Sequence, residues 1–171
     1  MPANKNDLAK LRLERRRLLA MAGFMGIALA SLSNPLRAQP SRPLIEVWKS
    51  PTCGCCKDWI KHLEASGFQV RANDTGNEAK RAELGLPQKF ASCHTARIHG
   101  YVIEGHVPAR EIHRLLKERP KGLGLSVPGM PIGSPGMDGP EYGGQSDPYD
   151  VLLVQRNGDA AVYASYKSAR K

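Results

Sequence analysis

Apolar and polar positions fall into short runs punctuated by proline and glycine, and the period of those runs changes along the chain. Leu44-Ile45-Glu46-Val47-Trp48 is apolar and β-branched, and it predicts a first strand from Leu44 to Ser50 that Pro51-Thr52 breaks. From Cys56 to Ser66 the period becomes helical, with Trp59, Ile60 and Leu63 as a buried stripe and Gly67 as the C-cap. Phe68 to Ala72 alternates and predicts a second strand. Asn77 to Leu84 predicts a second helix, capped by Asp74, Thr75 or Asn77 and ended by Gly85 and Pro87. Ala96-Arg97-Ile98 and Tyr101-Val102-Ile103 flank His99-Gly100 as a hairpin. Pro108 opens a third helix in which Ile112, Leu115 and Leu116 recur until Pro120 stops it. Gly122 to Pro148 carries a proline or glycine every few residues and predicts no regular element. Tyr149 to Gln155 and Ala160 to Tyr166, joined by Asn157-Gly158, predict a last hairpin.

The resulting order, β-α-β-α-β-β-α, requires a right-handed crossover between two parallel strands, followed by antiparallel strands on the same sheet. That is an α/β, thioredoxin-like plan, extended by a C-terminal Pro/Gly/Met loop and an added β-hairpin. What precedes it has the outline of an address. Arg15-Arg16-Arg17 lead into an uncharged run, Leu18 to Leu32, shorter than the roughly 20 residues of a membrane span, then Pro35 and Ala38. The expectation is a signal peptide over 1–38, resembling the twin-arginine type, with an uncleaved anchor as the alternative. Residues 39–43 form a linker and 44–171 the domain.

Charge changes the picture only through that leader. Cleavage near Ala38 removes seven of the 25 Lys and Arg and two of the 16 acids, lowering the formal charge from +9 to +4. No basic cluster with interleaved aromatics remains, which excludes nucleic acid as a partner. Export would place four cysteines where disulfides can form.

The chemistry concentrates at Cys53-Gly54-Cys55-Cys56, where a strand delivers three thiols to a helix N-terminus, expected at the surface. The dipole and free N–H groups there favour thiolate. Cys53 and Cys56 have the C-x-x-C redox spacing, whereas Cys53-x-Cys55 with a third adjacent sulfur suits Cu(I) or Zn(II); a plain disulfide staple is the bland alternative. In a thioredoxin-like plan Ser92-Cys93-His94-Thr95 enters the third strand beside that helix start, so Cys93 and His94 should join the same site. His106, at a strand end, is a further candidate, while His62, His99 and His113 read as structural. Met130 and Met137 stand seven residues apart in matching Pro-Gly settings, which suggests a functional loop closing over the thiols. Thiol, imidazole and thioether are soft donors that favour Cu(I), with bridging thiolates able to hold more than one ion.

Trp48-Lys49-Ser50-Pro51-Thr52-Cys53-Gly54-Cys55-Cys56, Ser92-Cys93-His94-Thr95, Glu104-Gly105-His106-Val107-Pro108 and the two Pro-Gly-Met segments resemble the signatures of a bacterial family. It is the thioredoxin-like, CxCC-containing family of periplasmic copper-resistance proteins of the CopG type, and the match spans roughly Leu44 to Tyr166. The resemblance implies copper binding in the periplasm, a redox role towards Cu(I)/Cu(II) or disulfides, and copper ions and other periplasmic copper-handling proteins as partners. A membrane contact would come only through an uncleaved leader. The metal positions it implies are Cys53, Cys55, Cys56 and Cys93, then His94, His106, Met130 and Met137. The alternative is an enzyme, a periplasmic thiol-disulfide oxidoreductase using Cys53 and Cys56. The extra Cys55, and the lack of the proline that true thioredoxins keep before the third strand, weigh against it.

Overall fold

Burial alternates along β1 (Leu44–Lys49), so Ile45, Val47 and Lys49 face inward. The computed structural model describes residues 42–168; the leader expected over 1–38 and most of the expected linker lie outside the described residues. After β1 come α1 (Gly54–Ala65), β2 (Gln69–Asn73), α2 (Glu78–Glu83), β3 (His94–Ile98), β4 (Tyr101–Glu104), α3 (Ala109–Glu118), β5 (Gly124–Ser126), β6 (Tyr149–Val154) and β7 (Ala160–Tyr166). The seven strands form one mixed sheet in the order β2-β1-β3-β4-β5-β6-β7. β1 and β2 are parallel, as a helical crossover requires, and β3 is antiparallel to both β1 and β4. The fold is the thioredoxin-like α/β plan expected.

α1 turns Cys56, Trp59 and Leu63 onto the sheet at i, i+3 and i+7, and α3 adds Ala109, Ile112 and Leu115. Trp59, Leu63, Ala109, Ile112 and Leu115 make one core with Ile45, Val47, Ala96, Ile98 and Ile103. The Trp59 indole is fully buried, and its Nε1 donates to the Val107 carbonyl at 2.9 Å. That bond ties α1 to the connection between β4 and α3.

Two expectations need correction. α1 starts at Gly54, two residues earlier than its periodicity suggested, because Cys53 serves as the extended N-cap after the Pro51-Thr52 turn. The stretch from Gly122 to Pro148 is not free of regular structure: β5 runs parallel to β4 within it, and all three of its residues are buried. Three residues are too few to show a period. β5 also pairs antiparallel with β6, so the last hairpin is part of the main sheet. Gly124 sits so close to β4 that a Cβ there would lie 1.8 Å from the Val102 carbonyl oxygen. Gly124→Ala is therefore expected to destabilise the fold by about 3 kcal/mol, the upper range for overpacking. Urea denaturation checks this, with a lowered midpoint at unchanged slope.

Candidate metal centre

The Pro51-Thr52 turn returns the chain on itself, with the Cys53 N–H donating to the Ser50 carbonyl at 3.2 Å, and α1 begins at once. All three N-terminal cysteines thus occupy the cap and first turn of one helix. Cys53 and Cys56 are bonded, with an S–S distance of 2.00 Å and their Cα atoms 5.4 Å apart, while Cys55 and Cys93 are free thiols. Cys55 Sγ lies 3.5 Å from Cys53 Sγ and 3.9 Å from Cys93 Sγ, and Cys93 Sγ lies 3.5 Å from Cys56 Sγ. The four sulfurs fall within 4.8 Å of one another, and so do the ligand atoms of a second group, Cys93, His94 and His106. Cys93 belongs to both.

The two imidazoles are presented differently. His106 Nδ1 is 2.8 Å from the Pro135 carbonyl, which can only accept, so the proton sits on Nδ1 and Nε2 directs its lone pair at Cys93 Sγ, 3.1 Å away. Such an outer hydrogen bond commonly fixes the tautomer of a metal-binding histidine. His94 is wedged between Trp59, with ring centroids 4.2 Å apart, and the edge of His106, at 5.0 Å. Its Nδ1 is 3.4 Å from Cys93 Sγ, and its Nε2 is the one buried side-chain nitrogen or oxygen among the described residues without a hydrogen-bond partner. Burial holds both imidazoles below their ordinary range, His94 well below it, so both are neutral near pH 7. Burial, reinforced by Cys55, pushes the Cys93 thiol up to about 12. Four sulfurs, two neutral imidazoles and an orphaned buried nitrogen fit a soft cation, whose charge would offset the cost of a desolvated thiolate.

Cys93 is held from behind. The fully buried Glu104 carboxylate accepts from the Ser92 N–H at 2.7 Å, Thr95 Oγ1 at 2.6 Å and Arg81 Nε at 3.0 Å. Asn77 Nδ2 donates to the Ser92 carbonyl at 3.1 Å and to Thr95 Oγ1 at 3.2 Å. Sequence reasoning passed over this network; its signal was a lone acid closing the apolar strand Tyr101-Val102-Ile103-Glu104.

The expectation that both members of the C-x-x-C pair lie at the surface is wrong for Cys56. It heads the inward stripe of α1 and is fully buried, whereas Cys53 is half-buried. The Pro-Gly loop lies over the same helix start: a Cβ on Gly136, whose φ is +83°, would come within 2.6 Å of the Cys55 carbonyl oxygen and the Trp59 nitrogen. Met137 in that loop is 9% exposed, and its sulfur accepts from the Tyr142 hydroxyl at 3.3 Å. Met130 is 52% exposed, at the rim of a cleft of about 410 Å³ that Ser92 and Cys93 also line. Ser92 Oγ donates to the Gly129 carbonyl beside it. His62 Nε2 accepts the Ala109 N–H at the start of α3, and His113 stacks on Phe68, so these two are structural.

The depressed His94 has a stability consequence of definite sign. Its folded pKa lies below the unfolded value of about 6.5, so protonation favours the unfolded chain; the contribution is full above about pH 6.5 and is lost as pH falls towards the folded value. Relative to His94→Phe, the wild-type chain should lose up to about 1.4 kcal/mol per pH unit below about pH 6.5. Denaturation of both chains across that range measures it, and a pH-independent difference would show that His94 is not held neutral.

Residues 90–137, which carry Cys93, His94, His106 and both loop methionines, match a family described as "Protein of unknown function, DUF411". No curated protein matches the chain. Two solved structures, described as copper resistance protein CopG in forms 1 and 2, are each 47% identical to it with a TM-score of 0.67. The matches cover 73% and 72% of this chain and 98% of each of those chains. With identity that high over nearly the whole length of its relatives, and with the same thioredoxin-like plan, the chain belongs to the CopG-type family of copper-resistance proteins.

Proposed function

We propose that this protein binds copper in the bacterial periplasm as part of copper resistance, holding Cu(I) on Cys53, Cys55, Cys56 and Cys93 with His94 and His106. The observation that carries this reading is the pair of ligand groups, each within 4.8 Å, that share Cys93. Soft thiolates beside neutral imidazoles are a donor set for Cu(I), and four sulfurs around one shared ligand suit more than one bridged ion.

The chain's own residues set the conditions. With Cys53 and Cys56 bonded, only Cys55 and Cys93 remain as thiols. A dithiol reductant supplying two electrons and two protons cleaves that bond, becomes a disulfide itself and leaves four thiols. Each thiol that takes up metal then releases its proton. His106 keeps Nε2 aimed at the site because Pro135 holds the opposite nitrogen. The segment from Ser134 to Met137 packs through Gly136 on the backbone of Cys55 and Trp59 in α1, and Met130, which lines the outer cleft with Cys93, would meet an arriving ion.

A second reading, thiol-disulfide exchange with other proteins, is favoured by one specific arrangement. The bonded pair spans a helix N-terminus with Cys53 half-buried and Cys56 fully buried, the asymmetry an attacking and a resolving thiol need. Cys55 separates the two. Cys55→Ser should leave exchange with a dithiol intact but lower Cu(I) affinity roughly 10- to 100-fold, measured by competition with a Cu(I) chelator on the anaerobically reduced full chain. Unchanged affinity in Cys55→Ser and in Cys93→Ser would move the metal elsewhere.

The loop methionines are tested separately. Leu replaces Met at a cost below about 1.5 kcal/mol when only packing matters. Met130→Leu with Met137→Leu is therefore expected to lower copper loading while leaving the thermal midpoint within a few degrees, as about 1 kcal/mol would. Wild-type loading in the double variant would reduce the loop to a cover.

A further inference from the structure

At the far end of β3 from Cys93, roughly 15 Å along the strand, lies a cleft of about 810 Å³ that the copper reading does not use. Three separate segments wall it: the end of α3 with the turn that follows, the β3–β4 turn, and the entry to the β6–β7 turn. Its floor is the Tyr101 ring and Leu116, and its rim carries His99, Arg119, Lys121 and Arg156. No acidic residue lines it.

Three observations set this rim apart from an ordinary solvated basic face. First, three of the rim's cations have no acidic partner. On α3 itself Arg110 and Arg114 are paired with Glu111 and Glu118, whereas among the described residues Arg119, Lys121 and Arg156 have no ion-pair partner, and the Arg119 Nε donates to the Leu116 carbonyl at 3.4 Å. Second, His99 and Arg119, with φ of 46° and 50°, are the two non-glycine residues with left-handed backbone among the described residues, and both line this cleft. Those positions, a hairpin turn and a helix C-cap, are ones glycine or asparagine fills at least cost, and here a histidine and an arginine stand there against backbone preference. Third, the groups converge. The negative end of the α3 dipole accounts for a cation at Arg119, but not for His99 and Arg156, which arrive from other elements. The Tyr101 hydroxyl donates to the Pro120 carbonyl at 2.8 Å and so fixes the loop that carries Arg119 and Lys121.

We propose that this cleft binds a small multivalent oxyanion, a molecule bearing phosphate or several carboxylates. Two guanidinium groups supply planar, paired donors of the kind such oxygens accept, and Lys121 adds a compact charge. The volume leaves space for an organic body on the floor of Tyr101 and Leu116. Ligand and copper sites are separate, so this proposal stands or falls independently of the metal reading.

The test titrates the isotope-labelled full chain with pyrophosphate and with citrate at physiological ionic strength, following backbone amide shifts and heat of binding. Saturable shifts clustered at the amides of Gly100, Gly122, Gln155 and Arg156 are expected with at least one probe. In Lys121→Ala/Arg156→Ala, both exposed and unpaired, affinity should fall about tenfold or more with the thermal midpoint and copper loading unchanged. Arg119→Gly should weaken binding likewise while holding or raising stability, since it relieves the left-handed backbone. Overturning results are the absence of saturable shifts with both probes, shifts confined to the arginine-rich N-terminal segment, or wild-type affinity retained in the double variant and in Arg119→Gly.

Discussion

Glu104 is the group on which the site's geometry hangs. Its carboxylate is fully buried and carries three donors, from α2, from the segment leading into β3 and from β3 itself, so the helix, the thiol-bearing segment and the sheet meet on two oxygens. Burial raises the pKa of that carboxyl while Thr95, Ser92 and Arg81 oppose the rise. A buried pair such as Arg81–Glu104 adds little net stability over an apolar substitute, yet loss of one partner costs about 3–5 kcal/mol because the other is left charged and dry. Its contribution here is placement. Ser92 is held by its N–H and its carbonyl, and Cys93 follows with its sulfur between two other sulfurs and two imidazoles.

The other donors are fixed with equal economy, each by a different element. Trp59 ties α1 to Val107 and packs on His94, so the helix that brings the thiols also positions a histidine. His106 follows β4 and is aimed by Pro135 of the loop, and that loop rests on α1 through Gly136. A loop of such composition usually stays loose, and this one is held by close backbone approach at a residue that has no Cβ to interfere. Because no single element carries the whole donor set, the arrangement exists only in the folded chain, and any affinity it confers adds directly to fold stability.

Much of this was legible in the sequence because the relevant signals are local and strong. Alternation in β1, a helical stripe after it and the Asn157-Gly158 turn signal between two apolar runs marked the strand and helix types, and the order of elements put Cys93 beside the CxCC turn. The failures share a cause, which is that short or composite elements show no period. β5 is three residues long, and its identity comes from β4 and β6 on either side. Cys56 read as a surface thiol because a helix start is usually exposed, although it stands three and seven residues before Trp59 and Leu63 and so shares their inward stripe. Glu104, Arg81 and Asn77 look like ordinary polar positions until tertiary contacts bring a strand end and a short helix together.

Two charge states of one residue connect the structure to its chemistry. In the oxidised arrangement Cys93 is a half-buried thiol whose ionisation is opposed first by desolvation and then by Cys55, and the neighbouring, fully buried imidazoles are kept neutral by desolvation. Cys93, His94 and His106 therefore meet in their neutral forms, as low hydration favours. Reduction of the Cys53–Cys56 bond would add two sulfur donors beside this group. Only a cation removes the penalty on the thiolates, and a hard one would leave sulfur and imidazole poorly matched. Selectivity for a soft ion would thus follow from burial as much as from the identity of the donors: a freely hydrated thiol ionises readily and binds many metals, whereas a thiol desolvated as Cys93 is would give up its proton chiefly to an ion that binds sulfur strongly.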